Sequence, residues 1–350
     1  MKIRRPFWIA AAAVAIAAAL PAQKDRIVLV DGKVIEDCTV LAYDLRKLDY
    51  RAKGSAASVE SDLVASVTVE KTKDIYRRGY AAAGGPEGPG NFLTTAREQK
   101  EPFIAQFGFA ESARLLVEQG EYADAFAVLE ELATKLPDSG FVPMLYRVKL
   151  EYYLQQGKSK ASDAASVAKR YEETAGSQGY PRGCQIEARY YAVMAQAVGG
   201  AIDTTKMRRD LEAIVGEASA YPNLADRCRL AIAESLVDEK KPDEAQKLLA
   251  DLLGRNYIEP STLAGALAGM GKVHFARGTP DNKEAYREAL LAFLRVYVEV
   301  PKAQPGVTAE SLYFAAQSAE KWGGPDAMTM ARRLNHILVR DYPDNPWTKK

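Results

Sequence analysis

The sequence predicts a mainly α protein, a solenoid of stacked helical hairpins preceded by a small β domain. Three observations carry this expectation. From Phe103 onward apolar residues recur at the helical spacing i, i+4, i+7. Prolines punctuate that region at Leu136-Pro137, Tyr221-Pro222, Val300-Pro301 and Tyr342-Pro343, and a proline cannot continue a helix, so each marks a unit boundary. Between Gln23 and Glu70 the rhythm changes to short apolar, β-branched runs separated by turn residues.

Residues 1–22 read MKIRRPFWIAAAAVAIAAALPA. A basic start with Lys2, Arg4 and Arg5 precedes an apolar run from Phe7 to Leu20, 14 residues long. A helix that spans a bilayer needs ~20. With small residues after the run and Pro21-Ala22 as the cleavage point, the layout is that of a secretory signal peptide. It predicts export, to the periplasm or cell envelope. The alternative is an uncleaved membrane anchor, because Leu20 fits the A-x-A rule poorly; the run ends without a cysteine, so a lipoprotein anchor is not expected.

Lys and Arg number 47 against 46 Asp and Glu, a net charge of +1. Without residues 1–22 the balance is 44 against 46. Such a chain gives no electrostatic reason to expect nucleic acid as partner. The three cysteines, Cys38, Cys184 and Cys228, are too few for a disulfide framework and fit no zinc spacing. They are expected as small buried apolar side chains. Cys184 and Cys228 lie on the first helices of neighbouring pairs, however, and a disulfide is the alternative if their Cα atoms come within ~7 Å.

Residues 23–70 form the expected β domain. Arg26 to Val30 is a strand, and Asp31-Gly32 is a hairpin turn, since glycine accepts positive φ without a Cβ clash. Lys33 to Glu36 returns, Cys38 to Tyr43 continues it, and Leu48 to Ala52, Ser58 to Glu60 and Ser66 to Glu70 follow. Fewer than 50 residues of this kind resemble the SH3-like or Sm-like small barrels. The compact solution is a small curled sheet or barrel, the resemblance implies the barrel, and the small core implies that it leans on a neighbour.

Residues 71–102 are expected to hold a short helix, Glu70 to Tyr80, and a linker. Ala83 to Gly90 reads AGGPEGPG, with four glycines and two prolines. The run lacks the Gly-Lys-Ser/Thr ending and the strand-to-helix setting of a phosphate loop, so a plain hinge is expected over phosphate binding.

Residues 103–350 divide into six helix pairs. After the first, Phe141–Gln156 joins Ser159–Ala175, Gly183–Val198 joins Thr204–Ala220, and Leu224–Val237 joins Asp243–Leu253. Pro260–Phe275 with Asn282–Glu299, and Val307–Trp322 with Pro325–Asp341, complete the set. Each pair has one apolar face and buries it by stacking on the next, which curves the stack. The polar end from Asp344 to Lys350 suits a cap.

Gln106 to Pro137, QFGFAESARLLVEQGEYADAFAVLEELATKLP, defines the register of the first pair. Phe109, Ala113 and Leu116 share one helix face, and so do Ala125, Leu129 and Leu132. The aromatic at Phe109, the small crossing residues Ala113 and Ala125 and the terminal Pro137 resemble a tetratricopeptide repeat. Ala233 and Ala245 repeat the crossing spacing in the fourth pair. The resemblance implies a binding scaffold whose first helices line a concave groove. Carried over where the register is clean, it nominates Phe107, Arg114, Glu118, Arg227, Glu234 and Asp238 as groove residues, with Ala110, Val117, Leu230 and Val237 among them. An arginine there can clasp a carboxylate bidentately, a peptide C-terminus included. The ordinary alternative is that Arg114 and Arg227 pair with Glu118 and Glu234 on their own helices.

Little else points to chemistry. His274 and His336 have no partner at metal spacing, so no metal, cofactor or catalytic residue is nominated. Tyr152-Tyr153, Tyr190-Tyr191 and Tyr313-Phe314 are expected to pack between repeats more than to face a groove. Gly265, Gly269 and Gly271 cost helix propensity, so they are expected where a neighbouring helix approaches closely. The functional expectation is an exported, non-catalytic scaffold that binds proteins or peptides. Its rivals are a carbohydrate- or peptidoglycan-binding module and, further off, an enzyme with its site in the β domain.

Overall fold

Asp31-Gly32 turns the first strand, β1 (Asp25–Leu29), back into β2 (Val34–Tyr43). Gly32 takes φ +83°, and the Asp31 carboxylate accepts the Lys33 N–H at 3.0 Å. The computed structural model describes residues 24–300, 304–343 and 345–349. The signal-peptide assignment and the Pro301 boundary lie outside these residues.

β3 (Lys47–Ala52), β4 (Ser55–Glu60) and β5 (Val64–Thr68) complete an antiparallel sheet in the order β4-β3-β2-β1-β5. The expected barrel is corrected here. β4 and β5 stand at opposite ends of the order and do not pair, so the sheet is open. One face is closed by helices instead of by the sheet curling on itself. Ile27, Cys38, Val40 and Leu48 are buried in one cluster with Phe107 and Phe109 of the helical region. The buried Asp25 carboxylate ties strands to helices: it accepts the Val40 N–H at 2.7 Å and the Glu70 N–H, which opens the first helix, at 2.8 Å.

Residues 71–102 are more helical than their composition suggests. α1 (Glu70–Ile75) and α2 (Arg77–Ala82) share the expected short helix. The glycine- and proline-rich run then enters a further helix, α3 (Gly88–Glu98), where Pro89 sits in the first turn that needs no amide donor. Phe92 of α3 is fully buried between Tyr76 and Tyr80. Packing against the next helix overrides the poor propensity of the run.

The six pairs follow: α4 (Pro102–Glu118) with α5 (Tyr122–Lys135), α6 (Val142–Gln155) with α7 (Ala161–Ser177), and α8 (Arg182–Val198) with α9 (Thr204–Glu217). Next come α10 (Pro222–Asp238) with α11 (Pro242–Leu253), α12 (Pro260–Arg277) with α13 (Lys283–Glu299), and α14 (Pro305–Trp322) with α15 (Ala327–Asp341). Ala113, Ala125, Ala233 and Ala245 are all fully buried, as crossing positions must be. Gly265 and Gly271 sit where Leu230 and Phe293 press onto the α12 backbone. Trp347, in the short 3₁₀ turn Pro346–Lys349, covers Tyr313 and Phe314 at ring distances of 5.1 and 5.4 Å.

The stack curls tightly. Gln155 at the end of α6, in the second pair, lies against Gly306 at the start of α14, in the sixth. Glu118 and Gln119 at the end of α4 share a cavity with Pro305 and Tyr342. The first helices therefore face one another across a cleft. The sheet sits along their starting ends: Asp44 bridges to Ser139, Leu45 donates to the Asp138 carbonyl at 2.7 Å, and Gln106 donates to the Tyr43 carbonyl at 3.0 Å.

Candidate functional site

The cleft is built from residues in the second to fourth turns of the first helices. Arg147 and Glu151 stand four apart on one face of α6, and Glu187 and Tyr191 do the same on α8. Arg227 and Glu234, seven apart, share a face of α10. Lys272 of α12 and Glu310 of α14 continue the line.

Glu187 accepts from Arg147 Nε at 2.8 Å, from Arg227 at 2.9 Å and from the Tyr171 hydroxyl at 2.8 Å. Burial by itself raises a carboxyl pKa, but the two guanidinium groups outweigh it and hold Glu187 below the usual range. Arg227 also reaches Glu151 at 3.2 Å, from the fourth pair to the second, and contacts the Tyr191 hydroxyl. Its guanidinium lies over the Tyr190 and Tyr191 rings at 5.3 and 5.2 Å. Glu151 departs in the other direction: burial raises it, Arg227 opposes, and nearby Glu259 adds repulsion. Arg147 and Glu151 keep 42% and 39% of their side chains exposed, so they form the open wall of the cleft.

The far end centres on Lys272, ion-paired to Glu310 at 2.9 Å. Burial pushes Glu234 up to about 7, Lys272 opposes that rise, and Glu310 and Asp238 add to it.

The sheet closes the near end. Asp62, in the 3₁₀ turn Ser61–Leu63, accepts the Gly183 N–H at 2.7 Å, at the start of α8. Together with Val30 and Val64 it lines a cavity of about 90 Å³ that Arg147, Glu187 and Glu259 also line.

The positions nominated from sequence scatter. Arg227 and Glu234 face the cleft, and Asp238 is exposed at the end of α10. Phe107 is packed inside, edge-on to Phe103 and Phe141 at 5.4 and 5.3 Å. Arg114 pairs along its own helix with Glu111 at 2.8 Å and with Glu118. Arg227 does not take Glu234; its partners are on α6 and α8. Arg147, Glu151, Glu187, Lys272 and Glu310 were not nominated, because pairs two, three, five and six keep the repeat register only with insertions. The i, i+4 spacing of Arg147 and Glu151 was the visible signal.

No family model matches the chain, and no curated protein matches it. Solved structures do. NprR in complex with its cognate peptide NprX is 15% identical, covers 80% of each chain and superposes with a TM-score of 0.45. PlcR of Bacillus thuringiensis, in complex with the peptide PapR7 and DNA, is 13% identical over 81% of this chain and 100% of that one, with a TM-score of 0.41. BtubC from P. vanneervenii is 9% identical over 78% and 89%, with a TM-score of 0.34. Likeness of this degree assigns no ligand to the chain.

The remaining chemistry-bearing residues are structural in their surroundings. Cys184 and Cys228 are buried free thiols in different apolar clusters, Cys184 beside Tyr171 and Cys228 beside Leu224, so the disulfide alternative is not realised. Among the described residues no group of His, Cys, Asp and Glu is placed to hold a metal, and no helix is long and apolar enough to cross a membrane. Tyr152 packs on Tyr122 at 4.6 Å, and Tyr146 stacks on Tyr171 at 4.5 Å.

Proposed function

We propose that the chain is an exported, non-catalytic scaffold that binds peptide segments of other proteins in the cleft between its first helices. The observation that carries this reading is the curl of the stack, which sets Arg227 of the fourth pair against Glu151 of the second and leaves polar side chains along the space between. The arginines of the cleft are paired, Arg147 to Glu187 and Arg227 to Glu151, which supports binding over catalysis. Export rests on the basic start and the apolar run from Phe7 to Leu20.

A photo-cross-linking residue tests the binding face. Placed at Glu234, inside the cleft, it should capture protein partners in intact cells. Placed at Lys169, on the outer face of α7 with 77% of its side chain exposed, it should not. Equal capture from both positions would remove the cleft from the reading. Cell fractionation of Ala15→Arg with Ala17→Arg tests export, because charge in the apolar run is costly to insert; a variant exported like the parent would sink that part.

A further inference from the structure

We infer that the cleft selects basic peptide segments, with a lysine or arginine side chain entering between Asp62 and Glu259. The inference rests on the cleft being the binding face and names the chemistry of its ligand.

Both arginines are engaged: Arg147 by Glu187, and Arg227 by Glu187, Glu151 and Tyr191. A peptide carboxylate would have to displace a buried partner to reach Arg227, while Arg147, bonded to Glu187 through Nε, stays partly open to the cleft. Among the buried side-chain atoms without a hydrogen-bond partner, Asp62 Oδ1, Asn223 Oδ1 and Glu259 Oε2 line the one cavity of about 90 Å³. Two of the three are carboxylate oxygens, which when ionised can only accept. What they call for is a donor, best a charged one, because charge-assisted hydrogen bonds are roughly twice as strong as neutral ones.

The cavity sets Arg147 and Arg227 against Asp62, Glu151, Glu187 and Glu259. At the other end of the same cleft, Lys272 stands among Glu310, Glu234 and Asp238. Carboxylates outnumber cations at both ends, and Asp62, Glu151 and Glu234 are all held above the usual carboxyl range, burial being the largest cause in each. An entering ammonium or guanidinium would favour the charged form of these carboxyls. The cavity is too small for more than the end of one side chain, and a lysine or arginine stem is long enough to bring its charge there while its backbone stays in the open cleft.

The test uses the full chain and three fluorescein-labelled ten-residue peptides on an alanine–glycine–serine background: one with two lysines and an arginine, one with glutamates in their place, one neutral. Anisotropy titrations should show the basic peptide binding at least tenfold more tightly than either other, with the advantage shrinking as salt rises. Glu259→Gln and Glu234→Gln, which keep side-chain shape, should each weaken the basic peptide several-fold and leave the neutral one unchanged. Lys169→Ala, on the outer face of α7, should change neither. A glutamate or neutral peptide that binds as tightly as the basic one overturns the charge preference while the cleft stands as a binding face. If none of the three binds, the preference and the binding face fall together.

Discussion

Arg227 of α10 and Glu187 of α8 are ion-paired at 2.9 Å with only 13% and 9% of their side chains exposed. Breaking a buried pair by removing one partner costs about 3–5 kcal/mol, since the remaining charge stays in a poor solvent. Arg147 still serves Glu187 afterwards, so Arg227→Ala is expected near the lower end of that range. Arg114, paired along an exposed helix face, should cost about 0.5 kcal/mol or less on the same change. Urea denaturation of the two variants checks this. Equal midpoints would show that the Arg227 network contributes no more than a surface pair.

That contrast marks where the sequence stopped being readable. Turn chemistry and periodicity are local, so the Asp31-Gly32 hairpin, the strands and all six helix pairs were legible within a few residues. α3 was not, because Ala83 to Gly90 signals a loop throughout; Ala83 to Glu87 form turns, but Gly88 to Gly90 open α3, whose Phe92 is buried. The barrel expectation failed for a related reason: strand rhythm does not say which edges meet, and here Tyr43 and Gln106 join sheet to helices instead. In the cleft, Arg227 faces inward, toward α6 and α8. Its partners were invisible because Glu151 lies 76 residues away and meets it only through the curvature of the stack.

The glycines of α12 give a prediction with a built-in control. A Cβ at Gly265 would come 2.5 Å from Leu230 Cδ2, and one at Gly271 would come 2.6 Å from the Phe293 ring. Overpacking of this kind costs about 1–3 kcal/mol, against ~1 kcal/mol of helix propensity gained by alanine. Gly265→Ala and Gly271→Ala should be neutral to destabilising. Gly216→Ala in α9, where nothing lies within 4 Å, should raise the melting temperature. If all three variants shift the same way, close approach does not explain the α12 glycines.

Burial pushes the Cys184 and Cys228 thiols up to about 12, and both are closed to solvent. The thiolate is the reactive form, so at pH 8 neither should react with iodoacetamide until the chain unfolds. Mass spectrometry after labelling in buffer and in denaturant reads this directly. Rapid native labelling of either cysteine would mean that its helix pair opens without global unfolding.

Glu234 ties stability to pH. Its carboxyl is raised from an ordinary 4.5 to about 7, by burial first and then by Glu310 and Asp238, with Lys272 opposing. Between those values the folded chain holds a proton that the unfolded chain has released. Stability therefore falls as pH rises, because its slope follows the protons bound unfolded minus those bound folded, which is negative here. The loss begins near pH 4.5 and is complete a little above 7. Glu234→Gln keeps the shape and removes the titration, so the variant should match the parent near pH 5 and exceed it at pH 8. Taking the difference between the two proteins cancels what Glu151, Asp62 and other carboxyls contribute. Urea midpoints measured from pH 5 to 8 decide it: two parallel curves would mean that Glu234 is charged and well solvated in the fold, and that the crowding around Lys272 carries no energetic penalty.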